Sequence, residues 1–326
     1  MPAQRIVIVT PTLASSNTGN WHTASRWARL LSGSFRVRVT DRWDGGDEQL
    51  MIALHAKKSA ASIQAWRASC PGKPLAVVLT GTDIYGHIDT DSTMHWSLSQ
   101  ADRLVVLNRR ALSAVPPQFQ TKTVLCLPSC PERQPRAKTG RHLRVLMAGH
   151  LREEKSPQVF FAAVRLLKHR SDLRFEHVGA ALDPALGDEA NRLALECPSY
   201  RWLGALPHGK TRAKIQAAHV LAHPSQQEGG ATVIVEAVRS GTAVIASRID
   251  GNVGLLGEDY GGYVPWGDAQ ALADAIVKAR DDPVYLDQLQ GQCALLAPQF
   301  TPAQERASLL SLLESMLGAR TPRERV

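Results

Sequence analysis

Pro224-Ser225-Gln226-Gln227-Glu228-Gly229-Gly230-Ala231-Thr232-Val233-Ile234-Val235-Glu236-Ala237 runs from an apolar strand through a polar turn into a helix. Val220-Leu221-Ala222 precedes it as the strand, and Val238-Arg239-Ser240-Gly241-Thr242-Ala243-Val244-Ile245-Ala246 ends the helix and starts a second short strand. The whole is a βαβ unit whose loop lies at the carboxyl end of a strand, where open parallel sheets bind ligands. Gly229 and Gly230 let a ligand approach the backbone. They open a helix, and the free N–H groups of its first turn, with Ala231 and Thr232, suit an anion or a sugar oxygen. Glu228 and Glu236 flank this turn, and ionised carboxylates, which only accept hydrogen bonds, suit a ligand rich in hydroxyls.

Outward from this unit, short apolar runs alternate with amphipathic stretches along the chain, the pattern of an α/β protein. Its 326 residues suffice for two domains, each with its own core. Residues 128–140, with three prolines and several charges, are expected to link them. With 44% hydrophobic and 21% charged residues the composition is globular. No apolar run approaches the ~20 residues of a membrane span, and no basic-then-apolar leader opens the chain, so a cytoplasmic protein without an integral membrane segment is expected. Five scattered cysteines point to reduced thiols. No paired-cysteine pattern suggests a metal, and no cofactor is expected. The net charge of +8 favours anionic partners. Dispersed Lys and Arg without a basic, aromatic-interleaved helix argue against nucleic acid. A basic non-enzymatic RNA- or membrane-binding protein is what charge alone would allow.

In the first half, a strand over 5–10 passes through a Ser/Asn/Gly loop, residues 15–20, into a helix over 21–31. Gly19 and Asn20 would present backbone and amide donors there, with Thr23 and Arg26 on the next turn. His55 stands at the end of the strand over 50–55, just before Lys57 and Lys58. The buried strand over 75–79 ends in Thr80-Gly81-Thr82-Asp83. Strand ends converge on the crevice of a doubly wound sheet, so His55, Lys57, Thr80, Thr82 and Asp83 are candidates to face a second substrate.

Glu228 and Glu236, with seven residues between them inside Pro224-Ser225-x-x-Glu228-Gly229 and Glu236-Ala237, resemble the Glu-x7-Glu signature of the retaining glycosyltransferases of family 4. The resemblance implies the GT-B fold: two Rossmann-like domains facing a cleft, with the last helix, 302–317, crossing back to the first domain. The expected bounds are 1–134 with 300–326 for an acceptor domain and 141–299 for a donor domain. It also implies that Glu228 lies near the donor sugar and that Glu236 holds the ribose hydroxyls. Gly149-His150-Leu151-Arg152-Glu153-Glu154-Lys155-Ser156 resembles the family's Gly-Arg-Leu-x-x-x-Lys-Gly loop, which binds the donor diphosphate. Lys155 matches, His150 stands where the family has Arg, and Arg152 is the expected second cation. Gly204 to Leu206 correspond to the turn that lines the nucleobase pocket. The glycine-rich run 247–257 is expected as a loop that could close on the sugar, with Arg248 and Asn252 as weaker candidates.

The family often has His-Gly where this chain has Thr80-Gly81. Gly19-Asn20-x-x-Thr23-Ala24-x-Arg26-Trp27-Ala28, Ala53-Leu54-His55-Ala56-Lys57-Lys58-Ser59-Ala60, Val78-Leu79-Thr80-Gly81-Thr82-Asp83-Ile84-Tyr85 and Ala101-Asp102-Arg103-Leu104-Val105-Val106-Leu107 resemble the selenosugar synthases of selenoneine biosynthesis. That likeness implies transfer of the sugar of a UDP-sugar (UDP-GlcNAc or UDP-Glc) to selenophosphate, and coupling to a selenophosphate synthetase. Arg152, Lys155, Glu228, His55 and Asp83 would be the catalytic set. A family-4 transferase acting on a carbohydrate or lipid hydroxyl is the alternative; a UDP-sugar epimerase shares the fold but needs acid and base carboxylates that no residues here are placed to supply.

Overall fold

The computed structural model describes residues 4–13, 19–86, 88 and 91–318. The chain divides into two compact units, residues 1–128 with 302–326 and residues 129–301. Most of the expected loop over 15–20 and the tail over 320–326 lie outside the described residues.

The first unit is a parallel sheet of β1 (Arg5–Val9), β2 (Arg36–Thr40), β3 (Leu50–Leu54), β4 (Leu75–Leu79), β5 (Arg103–Val106) and β6 (Thr123–Leu125), in the order β2-β1-β3-β4-β5-β6. Leu50-Met51-Ile52-Ala53-Leu54 and Leu75-Ala76-Val77-Val78-Leu79 are buried throughout, as central strands covered on both faces must be. Alternate residues serve opposite faces. Ile6, Ile8, Leu50, Ile52 and Leu54 pack with Ala24, Trp27 and Leu31 of helix Gly19–Leu31 and with Leu309, Leu312 and Leu313 of helix Pro302–Leu317. Val7, Val9, Met51, Ala53, Leu75 and Val77 pack with Trp43, Ile63 and Trp66 on the other face. The last helix thus belongs to the first unit, as the resemblance implied.

Arg26 gives the first correction. Its guanidinium is buried and donates to the carboxylate of Glu305, Nε to Oε2 at 2.8 Å and Nη2 to Oε1 at 3.1 Å; Trp27 Nε1 adds a bond of 2.7 Å to Oε1. This cation clamps helix Pro302–Leu317 onto helix Gly19–Leu31 and is not offered to a small anion.

The second unit holds β7 (Leu143–Ala148), β8 (Leu173–Val178), β9 (Tyr200–Trp202), β10 (Val220–His223), β11 (Ala243–Ser247) and β12 (Tyr263–Val264), all parallel, in the order β12-β11-β10-β7-β8-β9. Residues 129–140 are not a bare linker between domains. Pro131 and Gln134 carbonyls accept from Arg212 (2.8 Å) and Gln216 (2.7 Å), the Cys130 carbonyl accepts from Arg239 (3.2 Å), and Lys138 donates to the Gly241 carbonyl (3.1 Å). Prolines and charges mark an ordered strap bound along the second unit, so residues 129–134 leave the first domain to which they were assigned. No described helix is long and apolar enough to cross a membrane.

Candidate active site

Each sheet has one topological switch point. In the second unit, the chain moves outward from β7 to β8 and β9, then returns to the other side of β7 as β10, so the loops after β7 and β10 diverge there. Open α/β sheets bind ligands at such points. The loop after β7 carries Gly149, Arg152 and Lys155; the loop after β10 carries Glu228, Gly229 and Gly230. The two loops are joined by Gln226 N–H donating to the Glu154 carbonyl at 2.9 Å.

Lys155 closes a 3-10 turn, Glu153–Lys155, and its ammonium donates to Glu228 Oε1. Ser156 next to it takes a left-handed conformation, φ 47°, where the family pattern has glycine; its hydroxyl accepts from Trp266 Nε1 at 3.2 Å. Glu228 is buried, with His223 Nε2 3.0 Å from the same Oε1 but without an aligned hydrogen bond from that ring nitrogen. Burial by itself raises the proton affinity of this carboxyl. The Lys155 ammonium and then the His223 imidazole outweigh it and hold Glu228 far below the usual carboxylate range. His223, the last residue of β10, was missed in the sequence; the available signal was one histidine ending an otherwise apolar strand.

Arg152 lies on the same loop with its Nε buried and without a hydrogen-bond partner; the Glu154 carboxylate is 3.8 Å away. His150, at the position of the family arginine, accepts Ala180 N–H on Nδ1 at 3.0 Å and so braces the loop after β8. Three glycines terminate adjacent strands. Gly149 N–H donates to the Val178 carbonyl (2.9 Å) and Gly179 N–H to that of Gly204 (2.8 Å). A methyl group on Gly179 would lie 1.9 Å from the Gly149 oxygen, so the backbones touch there. Gly204 has φ +63°, the left-handed region that favours glycine. Leu206 follows it in the turn that enters helix His208–Ala217.

Ala231 precedes the short helix Thr232–Val238 and gives it no side-chain cap. Glu236, buried on this helix, bonds through Oε1 to Nε2 of half-exposed His208 at 2.5 Å. His208 was also missed, because 28 residues separate it from Glu236.

The run 247–257 departs from its expected form. Residues Asp250–Leu256 are helical and mostly buried. Asn252 Nδ2 donates to the Ser247 carbonyl at 2.9 Å, and Arg248 lies over the Tyr263 ring, 5.2 Å from its centroid, and pairs with Glu258. Gly251 serves close packing: a methyl group on it would sit 1.8 Å from the Glu228 carbonyl oxygen. Gly251→Ala is expected to displace the Glu228 turn and lower stability by about 2 kcal/mol. A thermal melt indistinguishable from that of the unaltered protein would contradict this.

His177 lies beneath the Gly149 loop, its Nε2 3.1 Å from the Gly149 carbonyl. Burial pushes it down to about 4, only partly opposed by that hydrogen bond; burial does the same to His219, also to about 4. Below pH ~6.5 the unfolded chain gains protons that these folded imidazoles refuse, so their contribution to stability falls with pH until about 4 and is flat below. His177→Gln keeps an N–H for Gly149 and cannot titrate. Denaturant melts should show the unaltered protein losing about 3 kcal/mol relative to this variant between pH 7 and pH 4; parallel pH profiles would contradict the assignment.

In the first unit the switch point lies between β1 and β3, so His55, directly after β3, is at its edge. His55 is buried, with a left-handed φ of 72° and Nε2 3.2 Å from the Thr82 hydroxyl. Strain of this sort concentrates at functional positions. Burial lowers its proton affinity, against the pull of Asp83, so the ring is neutral near pH 7. Asp83 is not placed to act as an acid or base. Oδ1 accepts Thr80 N–H (2.7 Å) and Gly81 N–H (2.9 Å), and Oδ2 accepts Ala56 N–H (3.0 Å). It is the clamp of the two strand-end loops. Lys57 pairs with Asp91 at 2.7 Å on the surface. Thr23 is buried, while Gly19 and Asn20 form the open first turn of their helix.

Residues 142–282 match the family model described as Glycosyl transferases group 1. The D-inositol 3-phosphate glycosyltransferase of Corynebacterium glutamicum is 32% identical over 176 residues, covering 52% of this chain and 42% of that protein. The enzyme of the same name from Corynebacterium efficiens is 33% identical over 146 residues, 42% of this chain and 34% of its own. The chain therefore spans less than half the length of these curated relatives. Among solved structures, sucrose-phosphate synthase from Thermosynechococcus elongatus aligns with a TM-score of 0.78 at 16% identity, covering 97% of this chain and 100% of that one. Anabaena HepE, in complex with UDP and glucose, aligns at 0.75 and 16%, covering 96% and 100%. The fold is GT-B, and the second unit carries the match to the glycosyl transferase group 1 family.

Proposed function

We propose that this protein is a glycosyltransferase that moves the sugar of a UDP-sugar, UDP-GlcNAc or UDP-Glc, onto selenophosphate. The observation that carries the donor half is the convergence of Lys155, Arg152 and buried Glu228 at the switch point, with Glu236 one helical turn-pair further on. Lys155 and Arg152 would bind the diphosphate and stabilise the charge that grows on UDP as it departs. Glu228, kept ionised by Lys155 and His223, would accept from sugar hydroxyls, and Glu236 from the ribose. Gly204 to Leu206 would line the uracil. HepE in its complex with UDP and glucose shows the same fold with that class of ligand.

The acceptor half rests on the likeness to selenosugar synthases and on the state of the first unit. Asp83 is saturated by backbone N–H groups and His55 has lowered proton affinity. An alcohol acceptor needs its proton taken in the transition state; an anionic selenium nucleophile does not. Selenium would form the bond to C1 as the C1–O bond to UDP breaks and its electron pair leaves with UDP. Water cleaving the Se–P bond would then release phosphate and the 1-seleno-sugar. Gly19, Asn20, Thr23, Lys57, Thr80, Thr82 and His55 remain the acceptor-side candidates, and a selenophosphate synthetase would supply the substrate.

The curated relatives favour one second reading, a phosphorylated alcohol as acceptor, with His55 taking the hydroxyl proton. UDP release from UDP-GlcNAc and UDP-Glc should depend on selenophosphate. Release that depends instead on an inositol phosphate would move the acceptor to the hydroxyl class.

A further inference from the structure

We infer that His208 is a positioning residue for nucleotide recognition, orienting the Glu236 carboxylate so that it reads the ribose hydroxyls. This rests on the donor reading above and adds a residue to it. Glu236 is buried on helix Thr232–Val238, and its Oε1 meets Nε2 of His208 at 2.5 Å. An ionised carboxylate only accepts, so Nε2 carries the proton. With Oε1 held by the imidazole, the plane of the carboxylate is fixed, and Oε2 remains to accept from a ligand hydroxyl. A free glutamate side chain on a short helix would have to be ordered at the moment of binding, which weakens each bond that it makes.

The mounting of His208 supports the same role. It is the first residue of helix His208–Ala217 and follows Pro207, in the turn that begins at left-handed Gly204. The Gly204 carbonyl is tied to Gly179 N–H at 2.8 Å, and the Leu203 N–H to the His177 carbonyl at 2.8 Å. The turn expected to line the nucleobase and the carboxylate expected to hold the ribose are therefore connected through one imidazole. Its half-exposed ring places the pair at the protein surface, where a nucleotide can reach it; the rest of Glu236 is enclosed.

The test is calorimetric titration of UDP and of 2′,3′-dideoxy-UDP into the full chain, unaltered and as His208→Ala and His208→Gln. The unaltered protein should prefer UDP by about thirtyfold, the scale of charge-assisted hydrogen bonds to two hydroxyls. His208→Ala should bring that preference to within about threefold, because Glu236 is no longer held. His208→Gln, whose amide N–H can still donate to Glu236, should restore at least tenfold. A merely structural role would lower affinity for both nucleotides equally. Should His208→Ala prove misfolded by circular dichroism, the His208→Gln ratio decides alone: a preference below about threefold overturns the inference. Intact UDP binding with an unchanged preference in His208→Ala also overturns it while leaving the donor reading standing. An unaltered protein that binds neither nucleotide overturns both.

Discussion

Lys155→Met is expected to lower the unfolding free energy by about 3 kcal/mol at pH 7, because it strands a buried carboxylate. Glu228 is 8% exposed at its side chain and Lys155 17%, so solvent replaces little of the lost partner. In the unaltered protein the Glu228 carboxyl titrates well below the ordinary range. Its contribution is therefore present above the unfolded pKa and lost only as pH falls through that depressed value. Without Lys155 the burial penalty dominates, and the folded carboxyl titrates higher. The gap between variant and unaltered protein should then shrink as pH falls through the ordinary carboxylate range. Adding Glu228→Gln to Lys155→Met should recover most of the loss at pH 7. Urea melts at pH 7 and pH 4 measure this; a gap that widens on acidification would mean that Glu228 does not carry the buried charge.

Glu305→Ala should be costlier still, about 4 kcal/mol, because it leaves the Arg26 guanidinium and the Trp27 indole N–H buried without their acceptor. The side chains are 10% exposed for Arg26 and fully enclosed for Glu305. The loss falls on the attachment of helix Pro302–Leu317 to the first unit, so proteolysis near Thr301 should accelerate. Replacing both partners, Arg26→Met with Glu305→Leu, should restore much of the stability, since an apolar pair of similar volume carries no desolvation penalty. Additive losses in the double variant would refute the clamp.

The central strands were legible because each is apolar on both faces, as in Leu75-Ala76-Val77-Val78-Leu79. The helix Pro302–Leu317 begins at a proline, and its expected bounds match the structure. Glu228 and Glu236 were legible because a single turn and helix carry both. What the sequence hid was set by distant partners. Arg26 looks like a basic residue near an anion loop until Glu305, 279 residues away, takes it. Asp83 looks catalytic until three backbone N–H groups fill its oxygens. The strap over 129–140 has the composition of a linker because prolines and charges serve an exposed bound segment equally well. The glycines of Asp250–Leu256 suggested a loop, whereas Gly251 is small because the Glu228 backbone passes against it. His208 meets Glu236 from 28 residues away, which no local pattern announces, and His223 beside Glu228 is marked only as a histidine ending an apolar strand.

The most direct test of the central claim is mass spectrometry of the purified protein with UDP-GlcNAc or UDP-Glc, with and without selenophosphate. The account predicts UDP together with a hexose or N-acetylhexosamine bearing the isotope pattern of selenium, formed only when selenophosphate is present. UDP-sugar that stays intact with selenophosphate, from a protein that binds UDP, would contradict selenium as the nucleophile.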